Sequence, residues 1–146
     1  MPLKRPESVL VVLYDLRHHV LVMQRNDDAE FWQSVTGTIE YGESALQTAY
    51  REVAEETGYQ LSRERQEIVD QRTTNTFEIR PCWRYRYPPG TRFNTEHVFT
   101  AQVDSTRPLR LTEHSAYAWL SKEQAIDRLW SHTNKDAVKA FVPDQQ

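Results

Sequence analysis

The segment GTIEYGESALQTAYREVAEETGY, residues 37–59, carries the strongest structural signals in the chain and decides the fold. Ser44, followed three residues later by Gln47, forms a capping box, which marks the start of a helix. Apolar residues then recur at helical spacing, at Leu46, Ala49 and Val53. Gly58 is a typical stop, because glycine readily adopts the left-handed conformation that ends many helices. The segment therefore predicts a helix over residues 44–57 that is entered and left through loops.

Three carboxylates share one stripe of this predicted helix. Glu52, Glu55 and Glu56 stand at positions i, i+3 and i+4. Like charges at this spacing repel each other, and the helix dipole also disfavours anions near the C-terminus. A bound hard cation such as Mg²⁺, Mn²⁺ or Ca²⁺ would reverse both penalties. Taken alone, however, the three glutamates are more typical of an ordinary solvated acidic face.

The spacing around the glutamates is more specific. Gly37, five residues, Glu43, seven residues and then residues 51–59 resemble the Nudix box at every fixed position. Tyr59 is the single departure, since the family usually has an aliphatic residue there. The resemblance implies an α/β/α sandwich with a mixed central sheet and a catalytic loop-helix-loop. It also implies a Mg²⁺-dependent hydrolase, with Mn²⁺ as an alternative, that cleaves a phosphoanhydride with water.

The resemblance assigns roles to residues within the box. It implies that Glu52 and Glu56 bind the metal, and that Glu55 is a third ligand or the base that orients water. Arg51 and Glu43 are expected to form an ion pair that braces the loop against the helix. Glu40 is interpreted as a loop charge.

A late acidic residue completes the site in many members of the family. By resemblance this residue is Glu113, as a metal ligand or as the catalytic base, and a solvated loop glutamate is the alternative. His114 beside it is interpreted as a hydrogen-bonded loop histidine rather than a ligand.

A polyphosphate substrate needs cationic contacts, and the guanidinium group offers a two-pronged match to phosphate. Arg25 ranks first, because the strand that it ends leads towards the box. Followed position by position, the resemblance implies a substrate site lined by Lys4, Arg25, Thr36, Phe77, Glu78, Ile79, Arg80 and Ser131. Aromatic candidates to stack on a flat ring are Phe31, Trp32, Phe77 and Trp83, although core packing is the commoner role of each.

The rest of the chain reads as alternating strands and helices. Predicted strands cover residues 8–14, 20–24, 71–79, 83–87, 97–103 and 116–120, with a charged loop at 25–30 and a turn at 88–90. Ser121 and Gln124 repeat the capping box and predict a helix to about residue 130, and a third helix is predicted from Asn134. A single mixed sheet with helices packed on its faces is the expected architecture.

The resemblance extends over nearly the whole chain. It is strongest to a bacterial branch of the family that acts on a pterin triphosphate in folate biosynthesis, and is carried by segments such as residues 31–37, 92–96 and 112–114. A pyrophosphohydrolase of ordinary or oxidised nucleoside triphosphates is the main alternative. A non-catalytic binding module is the second, but such modules typically lose box glutamates that this chain retains.

Composition excludes several other classes. A length of 146 residues suits one domain, residues 1–146, and a net charge of -3 argues against a dedicated nucleic-acid binder. Cys82 is the only cysteine, which fits a reducing, cytoplasmic compartment. No apolar run approaches the roughly 20 residues that a membrane span needs. The expected partner is a small-molecule triphosphate, and the oligomeric state stays open.

Overall fold

The computed structural model describes residues 3–144, so both ends of the predicted 1–146 domain lie outside the described residues. The strands are β1 (Glu7–Tyr14), β2 (Val20–Arg25), β3 (Asp28–Gln33), β4 (Val35–Thr38), β5 (Ile68–Glu78), β6 (Phe93–Gln102) and β7 (His114–Leu120). The helices are α1 (Ala45–Thr57), α2 (Lys122–Arg128) and α3 (His132–Phe141), together with a 3₁₀ helix at Pro81–Arg86. No helix within the described range is long and apolar enough to cross a membrane.

Strand β1 is the centre of a mixed sheet. It runs parallel to β6 along its whole length and antiparallel to β4, while β6 pairs with β5 on its other side. β1 meets β2 only at Tyr14 and Val20, after which β2 pairs with β3 and β7 instead. The two halves of the sheet therefore separate beside β4.

Two apolar cores lie on opposite faces of the sheet. Because side chains alternate along a strand, Val9 and Val11 of β1 pack under α1, while Leu10 and Val12 pack under α2 and α3. A strand buried on both faces reads as a continuous apolar run, which explains the sequence VLVVL of β1. The arrangement confirms the predicted α/β/α sandwich.

Helix α1 begins and ends as its sequence predicts. The Ser44 hydroxyl accepts a hydrogen bond from the Gln47 amide at 3.1 Å, and the Ser44 amide donates to the Gln47 side chain at 2.8 Å. Gly58 has φ of 84° and donates its amide to the Ala54 carbonyl at 2.9 Å. The helix is thus fixed at both ends, which sets where its glutamates point.

The strand predicted over residues 83–87 is wrong, because this segment belongs to the 3₁₀ helix. Pro81 cannot donate to a strand ladder, but it suits the first turn of a helix, where no intrahelical donor is needed. The amide of Trp83 donates to the Arg80 carbonyl at 2.9 Å, and the amide of Tyr87 donates to the Arg84 carbonyl at 3.1 Å.

The predicted charged loop at residues 25–30 is also wrong in extent. Strand β3 begins at Asp28 and leaves only Asn26 and Asp27 as a turn. Neither β3 nor β4 was predicted, since Ala29 and Glu30 are exposed and give the segment no apolar alternation. Pairing with β2 and β1 is what holds these short strands.

Candidate active site

Glu52 and Glu56 of α1 form a close carboxylate pair under the edge of β4. Glu56 is 2% exposed, and one of its two oxygens, Oε1, has no hydrogen-bond partner within the described residues. The Glu56 carboxylate accepts a hydrogen bond from the Thr36 amide and shares another with Glu52. Burial raises the pKa of Glu56 well above its usual value, and Glu52 raises it further. Burial raises the pKa of Glu52 as well.

Gly37 provides the space in which the Glu52 side chain lies. A Cβ atom at residue 37 would stand 2.1 Å from the Glu52 Cδ and 2.5 Å from its Oε1, well inside van der Waals contact. Only glycine therefore permits this carboxylate to lie against β4. The first fixed glycine of the box is explained by close approach rather than by an unusual backbone angle.

These observations fit a divalent cation. Glu56 is a buried carboxylate with a raised pKa and an unpartnered oxygen, and such a group is costly unless a positive charge lies beside it. Within residues 3–144, no three His, Cys, Asp or Glu side chains converge as a complete metal-binding group. Glu52 and Glu56 are in contact and could share an ion, in keeping with the few protein ligands that Mg²⁺ usually takes, and their role as ligands stays a prediction.

Arg51 braces the loop that precedes α1. Its Nε and Nη2 atoms donate to the two oxygens of Glu43 at 2.7 and 2.8 Å, and Nη2 also donates to the Thr38 carbonyl at 3.1 Å. This confirms the predicted ion pair. The Arg51 hydrogen bonds lower the pKa of Glu43 to about 2. Glu40, whose side chain is 68% exposed, reaches Arg51 only at 3.9 Å, as suits a loop charge.

Arg51 also contacts the carboxylates of the helix itself. Its Nη1 donates to Glu52 at 2.7 Å and to Glu55 at 3.2 Å. The side chain of Glu55 is 55% exposed, so it lies at the solvent side of the carboxylate stripe. The Glu55 carboxylate is thus paired with the Arg51 guanidinium, whereas the Glu56 carboxylate is buried in the interior.

The loop that carries Glu113 docks on the C-terminal end of α1. The Thr112 hydroxyl donates to the Glu55 carbonyl at 3.0 Å, and the Arg110 amide donates to the Thr57 carbonyl at 2.8 Å. Glu113 itself is exposed. Its charge acts on Glu56 and raises the pKa of that carboxyl, which places Glu113 on the same side as the carboxylate pair.

His114 lies behind the carboxylates as a buried neutral residue. Its Nε2 is 3.0 Å from the Gln33 side-chain nitrogen and 3.9 Å from Glu56 Oε1. Burial, together with the charge of Arg25, lowers the pKa of His114 to about 4. The hydrogen bond predicted for His114 is present, but the predicted loop is wrong, because His114 is the first residue of β7. The residue is too buried to serve as a solvent-facing base.

Lys4 and Arg25 bring positive charge to the mouth of the site. Desolvation, followed by the charges of Arg86 and Arg25, lowers the pKa of the Lys4 ammonium, while Glu113 and Glu52 act in the opposite direction. The Lys4 amide donates to the Arg86 carbonyl at 2.7 Å, which fixes the N-terminal segment here. Arg25 is paired with Asp27 through two hydrogen bonds of 2.7 and 2.8 Å.

An aromatic cluster continues from Arg25, formed by Phe31, Trp83 and Trp130. The rings of Phe31 and Trp130 stack with centroids 4.6 Å apart, and Phe31 lies 5.6 Å from Trp83. The Arg25 guanidinium stands 4.7 Å from the Trp83 centroid. Arg80 stands 4.5 Å from Trp83 and 5.0 Å from Trp130. Flat rings and guanidinium groups therefore share one surface, as suits a ligand that combines a flat ring with phosphates.

The family model of the Nudix domain matches residues 4–141 of this sequence. The chain belongs to the Nudix family. The chain is a Nudix hydrolase. The segment that resembles the Nudix box contains Gly37, the loop that Arg51 braces, and the paired Glu52 and Glu56.

Individual relatives share most of the length of this Nudix hydrolase. It is 44% identical over 141 residues to the dihydroneopterin triphosphate diphosphatase of Escherichia coli K12, which is 95% of this chain and 93% of that protein. The Haemophilus influenzae protein of the same name is 38% identical over 143 residues, 97% and 90% of the two chains. The solved structure of the E. coli dihydroneopterin triphosphate pyrophosphohydrolase gives a TM-score of 0.91 at 43% identity, covering 97% of this chain and 98% of that one.

The other residues predicted for the substrate site lie at several places. Trp32 faces away from the aromatic cluster: the Arg128 guanidinium lies 4.9 Å from its ring, and both line a separate cavity of about 490 Å³. Ile79 is buried in the interior, and Glu78 pairs with Arg84 at 2.9 Å. Ser131 caps helix α3 directly after Trp130. Thr36 meets the carboxylates through its amide, while its hydroxyl donates to the Val9 carbonyl at 2.9 Å.

Sequence reasoning missed Trp130, Gln33 and Glu96. Trp130 was predicted only as the end of a helix, yet its ring is 49% exposed beside Phe31. Gln33 and Glu96 are almost fully buried polar residues on strands. The available signal was a polar residue at a position where strand alternation demands an apolar one, as Glu96 is two residues before Val98 on β6.

Proposed function

We propose that this Nudix hydrolase converts dihydroneopterin triphosphate and water to dihydroneopterin monophosphate and pyrophosphate, using Mg²⁺. The substrate assignment rests on 44% identity to an enzyme of that name over 95% of the chain. The aromatic cluster beside Lys4 and Arg25 supports it, because the substrate combines a flat pterin ring with a polyanionic chain.

Different residues of the site bind the metal ion and the phosphate chain. Glu52 and Glu56 hold the divalent ion, which when bound neutralises phosphate oxygens and acidifies water. Lys4 and Arg25 bind the phosphate chain at the mouth of the site. Water attacks one of the two phosphorus atoms of the α–β anhydride, the bond from that phosphorus to the bridging oxygen breaks, and the leaving group, pyrophosphate or dihydroneopterin monophosphate, keeps the bridging oxygen.

The proton of the attacking water needs a base. Glu55 and Glu113 are the two carboxylates available outside the buried pair. Arg51 donates to Glu55 at 3.2 Å, so this carboxylate is already paired with a guanidinium group. Glu113 is exposed at the end of the docked loop, and this difference favours Glu113 as the base. We place the reaction in the cytoplasm, where a lone exposed cysteine stays reduced.

The deciding experiment compares kcat/KM with Mg²⁺ on dihydroneopterin triphosphate, dATP, 8-oxo-dGTP and ADP-ribose, with pyrophosphate and phosphate detected separately. Preference for the pterin with release of pyrophosphate supports the proposal. Preference for a nucleotide would retain the chemistry and reject the substrate. Absence of turnover on all four compounds, with a folded protein, would reject the enzymatic role.

A further inference from the structure

Glu96 is a buried carboxylate that the hydrolytic chemistry does not use. It lies on β6, is 3% exposed and forms no ion pair within the described residues 3–144. Burial raises the pKa of Glu96, while hydrogen bonds from Thr133 and Asn75 and the charge of His132 partly offset that effect. A buried carboxylate that forms no ion pair reduces stability, so its presence calls for a function.

A row of polar residues surrounds Glu96 on the α3 face of the sheet. The strand register places Asn75 of β5 on one side of it and Ser8 of β1 on the other. Asn94, two residues earlier on β6, donates to the Ser8 hydroxyl at 2.7 Å and lies opposite Phe77. Leu10, Val12 and Val98 on the same face are buried apolar residues, so the polar row borders an apolar core.

The polar row leads towards the carboxylate pair that holds the ion. Ser8 is in register with Glu96 and also with Thr38 of β4, so Glu96 lies two strand spacings, about 10 Å, from β4. Thr36 of the same strand donates its amide to Glu56. A substrate with its phosphates at the ion can therefore extend its ring along this row.

Asn75 of the edge strand β5 contacts Glu96. The Asn75 nitrogen is 3.4 Å from Glu96 Oε1, longer than a well-formed hydrogen bond, and Asn75 is half-buried at the sheet edge. A stronger donor on a ligand can replace so long a contact. A carboxylate has two acceptor oxygens side by side and matches two parallel N–H donors.

We propose that Glu96 determines ring specificity by accepting hydrogen bonds from the ring N–H and the adjacent 2-amino group of a 2-amino-4-oxo pyrimidine edge. Pterin and guanine both present this edge, whereas adenine lacks both donors and hypoxanthine lacks the amino group. A site built around such an acceptor rejects a ring that leaves it unpaired. This inference rests on the proposed phosphate chemistry and deepens it.

The test compares GTP with ITP, which differ only in the 2-amino group, in the wild type and in Glu96→Gln with Mg²⁺. We expect the wild type to prefer GTP, and Glu96→Gln to lose about 10- to 100-fold in kcat/KM on GTP and on dihydroneopterin triphosphate. Activity on ATP, which has neither donor, should change by less than about 3-fold. ITP keeps the ring N–H, so its activity should fall by a smaller factor than that of GTP, and the preference for GTP over ITP should decrease.

Two further variants separate specificity from folding. Glu64→Gln removes an exposed loop carboxylate and should leave all four activities and the melting temperature unchanged. Thr133→Val removes a donor to Glu96 and retains the carboxylate, so it should preserve the preference for GTP over ITP even if the melting temperature falls.

The outcomes are distinct from those of the proposed function. Equal loss on all four triphosphates in Glu96→Gln, or equal use of GTP and ITP by the wild type, would overturn the role of Glu96. If the wild type prefers GTP over ITP and this preference depends on Glu96, the role of Glu96 is supported. If the same protein does not cleave dihydroneopterin triphosphate, the pterin substrate is rejected.

Discussion

Gly37 and Glu52 are in such close contact that the glycine has no room for a side chain: a Cβ at residue 37 would lie 2.1 Å from the Glu52 Cδ. We expect Gly37→Ala to displace the Glu52 carboxylate and reduce kcat/KM on the order of 100-fold, as misplacement of a catalytic group by about 1 Å does. Turnover with Mg²⁺ measures the effect.

Gly90→Ala is the matched control for this substitution. Gly90 has φ of +87°, and no atom lies within 4 Å of the point where a Cβ would stand, so alanine there strains the backbone without any clash. We expect a lower melting temperature and unchanged kcat/KM. If Gly37→Ala keeps full activity, the close contact has no catalytic importance.

Glu56→Gln should reduce turnover and abolish the stabilisation of the protein by Mg²⁺. If Glu56 holds the ion together with Glu52, as we propose, kcat should fall by more than about 100-fold. Mg²⁺ should raise the melting temperature of the wild type through binding to the folded state and leave that of Glu56→Gln unchanged. An equal Mg²⁺-dependent shift in both proteins would place the ion elsewhere.

Removal of the metal should also reveal the raised pKa of Glu56. A carboxyl whose folded pKa is raised contributes stability below its unfolded pKa and loses it as pH rises through the folded value. In EDTA, we therefore expect the wild type to lose melting temperature above about pH 4.5 more steeply than Glu56→Gln. Parallel melting curves across this range would contradict the assignment.

The Arg51–Glu43 pair should give the opposite pH dependence. The pKa of Glu43 is lowered to about 2, so its stabilisation is complete above the unfolded value and is lost as pH falls towards 2. We expect Glu43→Gln to reduce the free energy of unfolding by roughly 1–3 kcal/mol at pH 7 and by much less near pH 2. Urea unfolding at both pH values tests this, and a pH-independent difference would contradict it.

The sequence predicted the elements whose ends are determined by residues close together in the chain. Ser44, Gln47 and Gly58 fix the ends of α1 within a single segment, and the structure confirms them. The 3₁₀ helix around Trp83 was predicted as a strand because alternating aromatic and basic residues resemble a half-buried strand, and Pro81 alone argued otherwise. The local sequence pattern was sufficient to predict the helix of the Nudix box. It was insufficient to predict the segment that connects β5 to β6.

The aromatic cluster shows which part of the site could not be predicted. Phe31 and Trp83 are among the stacking candidates that the sequence predicts, but Trp130 and the contacts among the three rings are not. The three residues come from distant segments, so no spacing along the chain indicates that they are in contact. Trp32, also predicted for this role, lies beside Arg128 instead, because adjacent residues on a strand point to opposite faces.

Trp130→Ala should weaken ring binding and leave the chemistry intact. Stacking on an aromatic side chain contributes enough that we expect KM for dihydroneopterin triphosphate to rise about 5- to 50-fold, with kcat changed less than about 3-fold. Leu16→Ala, at an apolar residue that is 72% exposed in a distant turn, is the control and should change neither constant. A fall in kcat at constant KM would show that Trp130 does not bind the ring.

The choice between Glu113 and Glu55 as base can be tested by substituting each residue in turn. We expect Glu113→Gln to lower kcat by about 100- to 10,000-fold, since loss of a general base removes a rate factor of this size. Glu55→Gln should lose less than about 10-fold, because Arg51 already holds that carboxylate at 3.2 Å. Steady-state kcat at saturating Mg²⁺ and substrate distinguishes the two variants. If Glu55→Gln loses the larger factor and Glu113→Gln does not, the proton goes to Glu55, and the contact with Arg51 orients the base.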